Sequence, residues 1–141
     1  MANALYPKFK ELLLNPGTLG STSGTAVDLN DDTIKVALVD TGTYTYSSAH
    51  DFYDDVSAGV IGTPQTLGSK TVTSGVFDAA DVTFTSVSGA SVEALVIYKD
   101  TGTASTSALI AYIDTVSSGL PVTPNGGNIT ITWNASGIFS L

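Results

Sequence analysis

Aspartate followed by Thr-Gly stands twice in this chain, at Asp40-Thr41-Gly42 and Asp100-Thr101-Gly102, each time after an apolar run. That arrangement is how aspartic proteases present the two carboxylates that share one proton. A chain of 141 residues is too short for the two-lobed enzyme that carries both copies, and the one-lobed form needs a single copy completed by dimerisation. Val60-Ile61-Gly62 has the residue types that buttress such a loop, but stands unusually close to the first copy. A tight strand exit explains both tripeptides without catalysis. The expectation is therefore that the chain is not an enzyme and has no catalytic residue.

The other polar groupings are weaker. His50, Asp51, Asp54 and Asp55 collect an imidazole and three carboxylates, yet acidic side chains of this kind are ordinary at the positive end of a helix. Asp28-Leu29-Asn30-Asp31-Asp32 resembles the start of a calcium loop, but Val39 stands where the bidentate Glu belongs and no Gly holds the sixth position. No metal and no cofactor is expected. With one His, no Cys and no Gly-x-Ser-x-Gly elbow, nucleophile–base pairs would all depend on His50. The Gly20–Gly24 stretch lacks the Lys-Ser/Thr of a phosphate loop. Asn128-Ile129-Thr130 and Asn134-Ala135-Ser136 fit the glycosylation pattern, which matters only in a secreted chain. Tyr44, Tyr46, Tyr53, Tyr98, Tyr112 and Trp133 offer flat faces for a sugar, though strand-spaced aromatics more often fill a core.

Composition bounds the partners. Five Lys, no Arg and 13 acidic residues give a formal charge of -8, which repels phosphate backbones and anionic lipid, so neither nucleic acid nor membrane is expected. Without Cys there is no disulfide framework, and packing alone must hold the fold. At 43% hydrophobic and 13% charged the chain can bury a core. The first residues lack the charged and apolar regions of a secretory leader.

The elements that position these groups are mostly strands. Leu5, Phe9, Leu12 and Leu13 recur at helical spacing around Pro7, predicting a short helix stopped by Asn15-Pro16-Gly17. A Gly/Ser/Thr-rich arm follows over 18–26, so residues 1–27 form a helix and arm and 28–141 a β-domain. Strands are predicted at 34–39, 70–73, 82–87, 92–98, 108–114 and 129–133, with shorter ones at 76–77 and 138–139. A second helical turn is predicted over 50–57. The runs VEALVIY and ALIAYI are apolar on both sides, as in central strands or strands whose outer face meets another subunit. The expected fold is all-β: an antiparallel β-sandwich or small barrel, jelly-roll-like, with a short N-terminal helix and arm.

Taken in order, MANALYPKFKELLL, DDTIKVALVDTGTYTYSSAHDFYDDV, FDAADVTFTSVSGASVEALVIYKDTGTASTSALIAYIDT and GLPVTPNGGNITITWNASGIFSL resemble a family of small virion structural proteins of tailed bacteriophages. The similarity spans nearly the whole chain, with an arm over 18–26 that looks longer than usual. The resemblance implies a capsid decoration or cement protein, made in the host cytoplasm, placed on the outer surface of the capsid and bound to the major capsid protein. It also implies self-association, a trimer favoured over a dimer, on a symmetric lattice. Leu5, Phe9, Leu12 and Leu13 are then the candidate docking residues, unless the helix merely closes its own domain. The alternative is a tail- or fibre-associated module recognising a host surface glycan.

Overall fold

The computed structural model describes residues 3–16, 18–19, 22–23 and 26–141; the expected arm therefore falls partly outside the described residues. In chain order the elements are β1 (Ala4–Leu5), α1 (Pro7–Leu14), β2 (Thr18–Leu19), β3 (Thr22–Ser23), β4 (Ile34–Val39), β5 (Val60–Thr66) and β6 (Thr71–Thr73). There follow β7 (Val76–Asp78), β8 (Val82–Phe84), β9 (Ala94–Lys99), β10 (Leu109–Ile113), β11 (Ile129–Ile131) and β12 (Phe139–Ser140). Among the described residues the structure is mostly β, with antiparallel sheets and one short α-helix.

The principal sheet has the order β1-β10-β9-β4-β5 and is open at both ends rather than closed on itself. Its centre is the doubly apolar set expected from VEALVIY and ALIAYI, and every residue of β10 is buried. Register fixes which side chains share a face: Val36 lies opposite Ile97 and Leu38 opposite Leu95, while Ala37 lies opposite Val96. On this second face Tyr98 and Tyr112 stand among small residues, and the segment after β4 folds back to cover them. Tyr53 stacks on Tyr98 at 4.3 Å between centroids, and Tyr46 meets Tyr112 at 5.4 Å. Sheets β11-β8 and β12-β7-β6 complete the body. Period-two alternation in β8 and β11 buries Val82, Phe84, Ile129 and Ile131 and leaves Thr83 and Thr130 at the surface, their hydroxyls 3.0 Å apart.

Several expectations change in detail: the strand expected over 82–87 ends at Phe84, Leu5 lies in β1 ahead of the helix, and the described part of the expected arm pairs β2 with β3. The segment 50–57 makes two 3-10 turns, Tyr53–Asp55 and Ser57–Gly59, rather than a helix. Only Phe52 and Val56 are buried there ahead of Gly59, and Gly59 lies so near Tyr44 that a Cβ would come within 2.6 Å of that residue's own Cβ. Strand β5 was not expected at all, because Gly62 and Pro64 break its pattern. Its register against β4 slips between Val36 and Leu38, and the residues that hide the strand are those that form the bulge, with Gly62 at φ 70°.

Helix α1 packs on its own body. Pro7 occupies the first turn, where a missing N–H costs nothing, Lys8 and Glu11 pair at 2.9 Å, and the Asn15 N–H closes the last turn on the Glu11 carbonyl. Phe9 is 0% exposed and meets Phe139 edge-on; Leu12 packs with Phe52 and Ala108. Phe9→Ala is therefore expected to destabilise the chain by about 3–5 kcal/mol, and Leu14→Ala, at a site 88% exposed, by less than about 0.5 kcal/mol. Urea midpoints at constant slope measure both, and a negligible effect at Phe9 would show that the helix is not anchored there.

Candidate functional site

The antiparallel pairing of β4 with β9 separates the two Asp-Thr-Gly turns. Asp40 leaves the Val39–Ala94 end of that pair and Asp100 leaves the Ile34–Lys99 end. At a rise of about 3.3 Å per residue the two exits lie roughly 17–20 Å apart, so no shared-proton pair forms within the chain. Each carboxylate instead serves its own turn. Asp40 accepts the Gly42 N–H at 2.8 Å and the Thr43 hydroxyl at 2.9 Å. Asp100 accepts the Gly102 N–H at 3.0 Å and pairs with Lys35 at 2.7 Å, and the two together hold its carboxyl below the usual range.

The acidic clusters are likewise occupied. Asp55 accepts the Asp51 N–H at 3.0 Å, and burial, with the charges of Asp55 and Asp54, raises the Asp51 carboxyl. The nearby imidazole of His50 turns instead to the Tyr44 hydroxyl at 2.9 Å. Asp28 caps its loop by accepting the N–H groups of Asn30 and Asp31. Among the described residues, no group of three or more His, Cys, Asp or Glu is arranged to hold a metal.

The aromatics form an interior layer. Tyr44, Tyr98, Tyr112 and Trp133 are buried, and Tyr46 and Tyr53 are half-buried against other rings. The Trp133 indole N–H donates to the Ala80 carbonyl at 3.1 Å. The Tyr6 and Tyr44 hydroxyls lie 2.8 Å apart, and with His50 they form a chain of three side chains joining the N-terminal segment to the loop after β4. Burial pushes the Tyr6 hydroxyl far up and that of Tyr44 up to about 12, the bond from Tyr6 opposing the second shift.

Apolar surface gathers elsewhere. A groove of about 530 Å³ is lined by Leu13, Val27, Leu29, Val72 and Leu141, with Asp28 and Asp32 on its rim. It is larger than the 250 Å³ cavity beside Trp133 or the 190 Å³ one beside Phe139. The large exposed apolar side chains among the described residues are Leu13 (37%), Leu14, Val72 (51%) and Leu141 (70%), and three of these four line the groove. The rim is clamped by two lysines: Lys99 pairs with Asp32 at 2.9 Å and donates to the Ala26 carbonyl at 2.8 Å, while Lys70 donates to the Asp32 carbonyl. Burial opposes ionisation of Asp32, but the Asp28 N–H and the Lys99 ammonium more than offset it and lower the carboxyl.

The four docking candidates therefore part company. Phe9 and Leu12 are core, Leu5 is half-buried in β1, and only Leu13 reaches the groove. Val72 and Leu141 were not singled out from sequence. The one signal for Val72 is an apolar residue flanked by Thr in a short strand, and nothing in the pattern places Leu141 beside it.

No protein-family model matches the chain, and no curated protein matches it.

Because the folded Tyr6 and Tyr44 hydroxyls keep their protons beyond the ordinary value of 10.0, the stability they contribute is whole below pH 10 and drains as pH climbs from there towards about 12 for Tyr44. Tyrosinate absorbance from these rings is expected to rise together with loss of near-ultraviolet circular dichroism. Ionisation of Tyr6 and Tyr44 near pH 10 in an intact fold would contradict their burial.

Proposed function

We propose that the chain is a structural protein of a tailed-bacteriophage virion, a decoration protein that sits on the outer surface of the capsid and reinforces it by binding the major capsid protein. One observation supports the reading beyond the sequence resemblance: among the described residues, three of the four large exposed apolar side chains line a single groove. Scattered apolar residues are normal on a soluble protein, whereas a gathered set marks a contact surface. The two Asp-Thr-Gly carboxylates and the buried aromatics are engaged in the chain's own turns and core, whereas the groove gathers apolar surface that is still exposed.

On this reading the open principal sheet and the two smaller sheets act as a two-layer, sandwich-like body, jelly-roll-like in its use of short strands, and α1 presents Leu13 at the rim rather than serving as a detachable anchor. Decoration works by multiplicity. Several weak contacts per oligomer, a trimer before a dimer, hold more firmly than one groove alone.

Particles carrying the chain supply the test. Leu13→Ser combined with Val72→Ser is expected to lower occupancy on capsids at least about tenfold, a loss of roughly 1.4 kcal/mol per engaged site, while Leu14→Ser leaves it unchanged. Electron microscopy and quantitative gels would show a copy number commensurate with the capsid subunits. Unchanged occupancy in the double variant, or only a handful of copies located at the tail, would defeat the proposal.

A further inference from the structure

The groove also carries a charge preference. Its described lining contains two carboxylates, Asp28 and Asp32, with Asp31 exposed in the same loop; the cations beside it, Lys99 and Lys70, are both engaged on Asp32, which leaves Asp28 and Asp31 as the excess charge. Asp32 shares its charge with Lys99, whereas Asp28 is exposed and spends one oxygen on the N–H groups of its own turn. A second copy seated on this face through a two-fold axis would bring two copies of the acidic 28–32 loop into one contact, between bodies of net charge -8 each. Like charges brought together at a contact oppose it.

From this we infer that the groove accepts a segment of another protein in which one or two apolar side chains are flanked by Lys or Arg. The apolar side chains would cover Leu13, Val72 and Leu141, and the flanking cations would meet Asp28 and Asp31. Because Lys99 and Lys70 already fix the rim, little ordering of that loop is left to oppose binding. The inference rests on the groove being a docking surface, as proposed above, and adds the chemistry of what docks.

Two acetylated and amidated peptides, Lys-Leu-Leu-Lys and Glu-Leu-Leu-Glu, titrated into the purified chain with methyl nuclear magnetic resonance detection, test it without any particle. The lysine peptide is expected to shift the methyls of Leu13, Val72 and Leu141 and to bind about tenfold more tightly than the glutamate peptide at low salt, the ratio falling towards one near 0.5 M salt. Asp28→Asn, which keeps the oxygen that caps the turn, should reduce that ratio several-fold. Val72→Thr, at an exposed site, should weaken both peptides. Equal binding of the two peptides overturns the charge preference alone and leaves the docking reading to the particle experiment. Silence from both, or shifts confined to another face, overturns the groove as a site. Concentration-dependent self-association abolished by Val72→Lys would make the occupant a second copy and overturn the inference as well.

Discussion

Strands β4, β9 and β10 are apolar on both faces, so neither side of the sheet they form can be left wet. An ordinary antiparallel sheet covers one side and offers the other to solvent; this one needs two covers. The loop between β4 and β5 supplies one, folding its tyrosines onto Tyr98 and Tyr112. Helix α1 cannot move freely for the same reason, since Tyr6 and Phe9 are part of the contiguous core that these strands create. Polar groups drawn into that layer must find partners, and they do: among the described residues no buried side-chain nitrogen or oxygen lacks a hydrogen bond.

That demand shapes what is left for function. The two Asp-Thr-Gly carboxylates are held in their own turns, and most of the aromatic rings lie in the core. The first Asp-Thr-Gly turn is held by Glu93, whose carboxylate accepts both the backbone N–H and the hydroxyl of Thr41, and the second by Lys35. What remains outside is the meeting point of the end of α1, the 26–32 loop, β6 and the residue beyond β12, four pieces whose apolar side chains find incomplete cover. The groove lies where a helix end and a loop meet one margin of the β12-β7-β6 sheet.

Much of the architecture was legible because period-two alternation and doubly apolar runs report burial directly. The pattern ITI between polar neighbours, and IKVALV before Asp40, place β11 and β4 almost to the residue. Strand β5 escaped because a Gly with positive φ and a Pro suppress the pattern at the very bulge that bends it. The site was far less legible. Helical spacing identifies Leu5, Phe9, Leu12 and Leu13 as a set but cannot say which of them face inward, since that depends on where Phe139 and Phe52 arrive from distant parts of the chain. Val72 and Leu141 become neighbours only through the pairing of β6, β7 and β12.

The two margins of the principal sheet are unlike its centre. One is the two-residue β1, and the other is β5, bent by its bulge and bearing Pro64, which has no N–H to offer. Neither gives a long flat template on which a further strand could be laid. A chain with so apolar an interior could otherwise stack edge to edge into fibrils when crowded at high density. Blunted margins keep the principal sheet from being lengthened by a neighbouring copy.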